Sequence, residues 1–276
     1  MKKAKVLFVS QDITPYLDET YIGKIARRLP QGIQERGKEI RTFMPKYGTI
    51  NERRHQLHEV IRLSGMNLVI NDVDHPLIIK VASIPSARMQ VYFIDNEEYF
   101  SRKSTLTDKT SGKYFDDNDE RAMFFARGVV ETVKKLGWQP DVIHCHGWFT
   151  SLLPMYIKKY YAEDPLFAEA KVAVSLYEDE YPKNLHKKFM DKLSFDGFTK
   201  KDLKHISEES SHLNMQKQAI EYADAVIQGS ENLNSELEKF IKKSGKPFLE
   251  YKSETEYMDA FNEFYDSMLE EVVVLD

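Results

Sequence analysis

Two histidines, a glycine and a tryptophan end one apolar run, in the segment His144-Cys145-His146-Gly147-Trp148. Residues i and i+2 of a strand share a face, so the two imidazoles could converge on a metal ion. Zinc needs at least one further ligand, and spacing marks out no distant carboxylate or histidine, so we predict no metal site. The alternative to a metal site is a half-buried strand end whose histidines hydrogen-bond to nearby backbone groups. If Trp148 is exposed, its ring offers a stacking surface for a sugar ring. The alternative is that Trp148 packs inside the protein at the start of a helix.

Acidic residues lie in two further segments. Asp12, Asp18 and Glu19 follow the first apolar run, and their charge would repel a phosphate group. Tyr177-Glu178-Asp179-Glu180 follows a later run. Paired carboxylates can act as acid and base, but adjacent residues of a loop rarely converge on one bond. For both segments the alternative is a solvated loop.

Several motifs that carry known chemistry are absent from the sequence. It contains no Gly-x-Gly-x-x-Gly and no Gly-Lys-Ser/Thr cradle for phosphates, which disfavours a nicotinamide dehydrogenase or a P-loop nucleotidase. No serine lies in a Gly-x-Ser-x-Gly elbow, so hydrolase chemistry has no support.

Composition narrows the class of protein further. The 276 residues are 42% hydrophobic and carry a formal charge of −5, which is enough apolar material for a core and argues against nucleic-acid binding. Cys145 is the only cysteine, so no intramolecular disulfide forms. No apolar stretch approaches the about 20 residues that a membrane helix needs, and no signal-peptide core follows Met1. We expect a cytoplasmic protein that does not bind a membrane.

Strands and helices alternate along the chain. Unbroken apolar runs such as Val6-Leu7-Phe8-Val9 are typical of strands covered on both faces. Helical spacing links Ile22 to Ile33, where Pro30 is predicted to bend or restart the helix. We predict an α/β fold with a Rossmann-like, doubly wound and mainly parallel sheet. An inserted β-meander is predicted at about 57–100, with strands that include 60–63 and 89–94.

Ligands of such sheets gather at the carboxyl ends of the strands. This rule confines the search for a site to four loops, at 11–21, 145–149, 177–182 and 228–232.

Three groups of segments, in order along residues 1–230, resemble a known family. They are Leu29-Pro30 with Arg36-Gly37-Lys38-Glu39-Ile40-Arg41 and Met44-Pro45-Lys46-Tyr47-Gly48; Asn118-Asp119-Glu120-Arg121-Ala122-Met123-Phe124-Phe125 with Leu136-Gly137-Trp138 and the run from Pro140 to Trp148; and Lys217-Gln218-Ala219-Ile220-Glu221-Tyr222-Ala223-Asp224-Ala225-Val226. The chain resembles the N-terminal domain of bacterial glycogen synthases and plant starch synthases.

The resemblance implies a GT-B architecture, in which two Rossmann-like domains face a cleft. It implies retaining transfer of glucose from ADP-glucose to the non-reducing end of an α-1,4-glucan, with no metal ion or other cofactor. The N-terminal domain mainly holds the acceptor, and the C-terminal domain holds most of the nucleotide sugar. Residues 1–276 correspond to the N-terminal domain alone, with a helix at about 254–271 packing back on it. We expect a partner subunit to supply any C-terminal GT-B domain.

The chain departs from the family pattern at four motifs. The family's Lys-Thr-Gly-Gly loop falls on Asp18-Glu19-Thr20-Tyr21, and the family's acid two turns later falls on Lys24. The His-Asp-Trp motif reads His146-Gly147-Trp148, and the catalytic His-Asn falls on Tyr177-Glu178. An acid where the family has a lysine inverts the charge that faces a pyrophosphate.

Two hypotheses about function follow. One is a working glucosyltransferase whose second half comes from another subunit. The other is a catalytically silent relative, a pseudoenzyme, that binds glucan or a partner enzyme of glycogen biosynthesis through the old acceptor face, with Tyr16, Trp148 and Tyr177 as surface residues. The charge inversion favours the second for this chain. A sensor of a small molecule at the same sheet edge is a third reading.

Overall fold

One large mixed sheet organises the molecule. The computed structural model of the chain describes residues 3–178, 181 and 184–270. Nine strands lie in the order β10-β9-β8-β7-β1-β2-β6-β5-β3, and β4 pairs with β5. The strands are β1 (Lys5–Ser10), β2 (Glu39–Pro45), β3 (His58–Glu59), β4 (Met66–Ile70), β5 (Val73–Ile84), β6 (Met89–Asp95), β7 (Val142–His146), β8 (Lys171–Leu176), β9 (Ala225–Gln228) and β10 (Phe248–Leu249).

Helices connect and cover the strands. They are α1 (Tyr21–Glu35), α2 (Glu52–His55), α3 (Glu97–Phe100), α4 (Asn118–Leu136), α5 (Leu153–Met155), α6 (Phe189–Phe195), α7 (His212–Tyr222), α8 (Ser235–Ser244) and α9 (Tyr257–Glu270). None of the helices in the described part of the chain has both the length and the apolarity that crossing a bilayer requires.

The central strands are buried on both faces. Val6, Leu7, Phe8 and Val9 of β1 are at most 2% exposed, as the unbroken apolar run predicts. β1 pairs in parallel with β2 on one side and with β7 on the other. The predicted α/β class with a mainly parallel, doubly wound sheet is confirmed.

Helix α1 begins and ends as its sequence indicates. The Thr20 hydroxyl accepts a hydrogen bond from the Gly23 amide, and Gly37 takes a φ of 93° just beyond the end of the helix. The prediction of a restart at Pro30 is wrong, because the helix continues through it from Tyr21 to Glu35. Pro30 is buried with Leu29 and Ile33, and this packing outweighs the missing amide hydrogen.

The region after β2 differs from the predicted meander. Residues 60–63 form a turn rather than a strand, anchored by the bond from the Val60 amide to the Ile79 carbonyl at 2.8 Å. β6, which covers the predicted strand 89–94, pairs in parallel with β2 and so belongs to the central sheet. The antiparallel strand pairs among the described residues all involve β5, which pairs with β3, with β4 and with the outer edge of β6.

Two other segments contain short helical pieces. After Gly147 the chain forms a 3-10 turn at Trp148–Thr150, then α5, then a π-helical turn at Tyr156–Tyr160. Helix α6 lies in the polar stretch between β8 and α7.

The last helix contacts the first one. Lys38, just after α1, lies 2.7 Å from Asp266 of α9, and Arg36 pairs with Asp259. The hydroxyl of Tyr265 reaches into the sheet and lies 2.6 Å from Nδ1 of His144. Helix α9 thereby covers the β1–β7 region of the sheet, and residue 271 of the predicted helix lies outside the described residues.

Candidate functional site

An open cleft of about 720 Å³ lies at the carboxyl ends of β1 and β2. Three segments surround it: the loop between β1 and α1, the stretch from Tyr47 through α2, and part of the long loop before α4. Its lining residues are Gln11, Asp12, Pro15, Tyr16, Leu17, Asp18, Thr20, Tyr47, Thr49, Asn51, Arg54, His55, Ser104, Thr105, Leu106, Thr107 and Lys109. Parallel strands point their carboxyl ends to this edge, where ligands of doubly wound sheets bind.

Asp12 is held at the base of the cleft by local hydrogen bonds. The Thr20 hydroxyl donates to Oδ2 of Asp12 at 3.0 Å while the same oxygen caps α1. The Ser10 hydroxyl donates to the Asp12 carbonyl at 2.7 Å. The loop that follows β1 is thus tied both to its strand and to the N-terminus of α1.

Buried aromatic rings form one wall of the cleft. Tyr16 is 5% exposed, and its ring meets Phe93 edge-on at 4.8 Å and His55 at 5.1 Å. Burial raises the pKa of Tyr16 to about 12. Its hydroxyl oxygen is buried and has no hydrogen-bond partner among the described residues.

We expect Tyr16→Phe to leave the unfolding free energy unchanged or to raise it by about 1 kcal/mol, because the change removes a buried hydroxyl that lacks a protein partner. Urea unfolding followed by circular dichroism measures the difference. A loss of more than about 1 kcal/mol would show that the hydroxyl is satisfied in solution, for instance by an ordered water.

The charges that line the cleft cancel. Asp12 and Asp18 oppose Arg54 and Lys109. Burial and the Arg54 charge lower the pKa of His55, which favours its neutral form at pH 7. With many hydroxyl and amide groups and no net charge, the cleft suits a neutral, polyhydroxylated ligand better than a polyphosphate.

Some of the site residues predicted in the first loop line the cleft, and others do not. Tyr16, Asp18 and Thr20 line the cleft, whereas Glu19, Tyr21 and Lys24 are not among its lining residues. Lys24 and Glu19 instead form an exposed ion pair at 2.7 Å. Tyr21 is 39% exposed and its ring lies 6.2 Å from that of Tyr177.

His144 and His146 lie side by side inside the sheet, with ring centroids 3.8 Å apart and no exposed surface. Hydrogen bonds join His144 to Tyr265 and, at 2.7 Å, to Ser175; another joins His146 to Tyr177 at 2.7 Å. The expectation of a half-buried strand end bonded to backbone is wrong, because these partners are side chains of β8, its following residue and α9. Among the described residues, no group of three His, Cys, Asp or Glu side chains is placed to hold a metal ion.

The prediction that Tyr16, Trp148 and Tyr177 are surface residues is also wrong, because all three side chains are at most 5% exposed. Trp148 is 2% exposed and packs against Tyr181 at 4.6 Å and Phe149 at 5.3 Å, so its ring is closed to a sugar in this structure. Tyr177 is buried beside His146, and Glu178 is exposed with its amide bonded to the Ser230 hydroxyl. Neither Tyr177 nor Glu178 lines the cleft. Asp179 and Glu180 lie outside the described residues.

In the segment His146-Gly147-Trp148, Gly147 has a positive φ. Its φ of 84° and ψ of 160° lie in a region essentially restricted to glycine, and a Cβ here would come 2.3 Å from Oε1 of Gln11. The side chain of Gln11, a lining residue of the cleft, occupies the space beside this glycine. A carboxylate side chain at 147 would need the same space.

Gln11 lies in the first of the four loops that the sequence selects, whereas Asn51, Arg54, His55 and the 104–109 segment lie outside all four. The rule of carboxyl strand ends applies equally to the loop after β2, which holds Tyr47, Thr49, Asn51, Arg54 and His55. Nothing local marks residues 104–109, which line the cleft because Lys103 bonds to the Gly48 carbonyl and Asn118 to the Leu106 carbonyl.

The fold is a Rossmann-type domain with an open cleft at the carboxyl edge of its sheet. The chain matches the family model described as the starch synthase catalytic domain over residues 5–246, and it belongs to that family. It is a glycogen-synthase-like glycosyltransferase domain of the GT-B class.

Individual relatives agree with this assignment. The chain is 40% identical to a glycogen synthase of Chlorobium limicola over 173 residues, which are 63% of this chain and 35% of the relative. It is 34% identical to a glycogen synthase of Chlorobaculum tepidum over 237 residues, 84% of this chain and 47% of the relative. The chain therefore spans about a third to a half of these relatives.

A solved structure shares the fold. It is the catalytic domain of starch synthase IV from Arabidopsis thaliana, determined with ADP and acarbose. The match has a TM-score of 0.72 at 18% identity and covers 90% of this chain and 51% of that one.

Proposed function

We propose that residues 1–276 form the acceptor side of a glycogen-synthase-type glycosyltransferase, which binds an α-1,4-glucan in the cleft between β1, β2 and the 104–109 segment. One observation carries the proposal: the cleft is rich in hydroxyl and amide groups while its charges cancel. Glucan is neutral and presents hydroxyl groups in every direction, so it matches this lining. The starch synthase IV structure, solved with acarbose, supports the same ligand class.

Without a second GT-B domain this part of the protein is proposed to bind glucan and not to transfer glucose. Asp18 lies in the cleft where the family has a lysine, and Lys24 is held by Glu19. Neither supplies free positive charge toward a pyrophosphate. Tyr177 and Glu178, which take the positions of the catalytic His-Asn, lie away from the cleft.

Titration with maltoheptaose tests glucan binding. We expect chemical-shift changes confined to the lining residues of the cleft, and co-sedimentation of the protein with glycogen. If maltoheptaose at about 10 mM perturbs no lining residue, the proposal fails, since even weak sugar binding has a Kd in the millimolar range.

ADP-glucose separates the silent reading from a working enzyme. A ligand that binds only the native state raises Tm, so we expect no shift for residues 1–276 alone. A clear rise, or transfer of glucose to glycogen by the purified chain, would favour the active reading. Activity that appears only on adding a separate C-terminal GT-B domain would support the partner-subunit form of the hypothesis.

Reversing the charge at Asp18 tests the electrostatic argument directly. Asp18→Lys should raise the affinity for ADP roughly tenfold at low ionic strength, because the reversal replaces repulsion of a pyrophosphate with attraction. Glu19→Lys is the matched control: it changes the net charge equally at a residue outside the cleft. Calorimetric titration with ADP compares the variants, and equal affinities would refute the assigned role of Asp18.

A further inference from the structure

A second cavity, of about 350 Å³, lies at the opposite edge of the sheet from the glucan cleft. The amino ends of β2 and β6 and the carboxyl end of β5 surround it, and the last turn of α1 closes one side. Its lining residues are Gln34, Ile40, Arg41, Ser83, Ile84, Pro85, Arg88, Met89 and Gln90. Two arginines line this cavity and no carboxylate does.

Neither arginine is neutralised by the described part of the chain. Among residues 3–178, 181 and 184–270, the arginines that form ion pairs with carboxylates are Arg28, Arg36, Arg102 and Arg127, and neither Arg41 nor Arg88 is one of them. Arg41 lies over the Trp138 ring at 5.6 Å, and its buried Nε has no hydrogen-bond partner among those residues. The acid two residues before it, Glu39, accepts a hydrogen bond from Trp138 instead.

Arg88 is held in an uncommon backbone conformation. It follows the 3-10 turn Pro85–Ala87 with φ 50° and ψ 36°, in the left-handed region where glycine is the ordinary choice. An arginine at such a position gives up local stability that glycine would retain. Arg88 is exposed and is one of the residues that line the cavity.

Neutral polar groups complete the lining. The side chains of Gln34, Ser83 and Gln90 can donate or accept hydrogen bonds around the two guanidinium groups. Guanidinium groups bind phosphate oxygens through paired N–H donors, and two of them match the double charge of a phosphoryl group. The volume leaves room for more than a phosphate ion.

We propose that this cavity binds the phosphoryl group of a small phosphorylated molecule between Arg41 and Arg88. The ligand differs in charge from the glucan of the carboxyl-edge cleft, and the two sites share no lining residue. Phosphate binding in this cavity and glucan binding in the carboxyl-edge cleft can therefore be tested, and can fail, independently.

Thermal unfolding with inorganic phosphate and with glucose 6-phosphate tests the site, against sodium chloride of equal ionic strength. We expect both probes to raise Tm of the wild-type chain beyond the salt control. Arg88→Gly relieves the left-handed strain while it removes the guanidinium, so this variant should fold with an unchanged or higher Tm and lose affinity for either probe about tenfold, the effect of losing one charge-assisted contact. Arg41→Lys keeps the charge and loses the paired donors, and it should weaken binding less than Arg41→Gln.

The matched control is Lys239→Gln, which removes an exposed positive charge on α8 and should leave the response to phosphate intact. Tighter binding of glucose 6-phosphate than of phosphate would identify a phosphorylated sugar as the ligand class, and equal binding would identify phosphate itself. The proposal is overturned if neither probe exceeds the salt control, or if Arg88→Gly and Arg41→Gln respond as the wild type does.

Discussion

Replacing Gly48 by alanine is expected to destabilise the domain by about 3 kcal/mol and to weaken glucan binding with it, the upper range for overpacking a close contact. A Cβ at position 48 would lie 2.2 Å from the Ser101 carbonyl oxygen and 2.3 Å from that of Arg102. Both are backbone atoms, so the 101–107 segment must move as a whole. That segment is one wall of the cleft, and Lys103 ties it to the Gly48 carbonyl.

Gly32→Ala is the matched control for Gly48→Ala. A Cβ there would also come too close, 2.1 Å from Sδ of Met258, but that atom belongs to a flexible side chain. Because Met258 can turn aside and alanine favours the helix, we expect a loss of about 1 kcal/mol or less. Urea unfolding and maltoheptaose titration measure both variants. Equal losses would show that the backbone contact at Gly48 is not special.

Acidification is expected to destabilise the domain through the buried histidine pair. Burial lowers the pKa of His146 to about 3, and burial together with the neighbouring His146 lowers the pKa of His144 well below its ordinary value. In the unfolded chain both imidazoles titrate near pH 6.5. Below that pH the unfolded state binds two protons that the native state refuses, so native stability falls as pH falls. Between pH 7 and pH 5 the two groups together remove about 4 kcal/mol.

Buried carboxyl groups oppose this trend at lower pH. Burial raises the pKa of Asp95, Asp119 and Asp196, and groups of that kind stabilise the native state as they take up protons. Because these carboxyl groups take up protons above the ordinary carboxyl range, the double histidine variant measured between pH 7 and pH 5 separates the two contributions.

Two measurements isolate the histidines. Unfolding by urea at pH 5.5 should be accompanied by the uptake of nearly two protons at this pair. In the native protein the imidazole resonances of His144 and His146 should not titrate between pH 7 and pH 5. A native His144 or His146 that titrates near pH 6.5 would contradict the burial argument. His144→Gln with His146→Gln should flatten the pH dependence where the double variant folds.

The sequence predicts the fold more completely than it predicts the candidate site. Unbroken apolar runs specify strands with two covered faces, and caps such as Thr20 and Gly37 mark helix ends, because both signals are local. The family follows from contiguous sequence motifs, such as the run from Leu136 to Trp148. Pro30 and residues 60–63 were misjudged since packing and pairing partners distant in the sequence decide them.

What the sequence by itself determined is the α/β class and the family, both readable from residue type and order. Only the tertiary structure decided that Trp148 and Tyr177 are buried, that Gln11 fills the space beside Gly147, and that the 104–109 segment joins α2 around one cleft. The physical reason is that burial and proximity are set by chain crossings. Residues that enclose this cleft are separated by up to 98 positions, from Gln11 to Lys109, and no local pattern records that they meet.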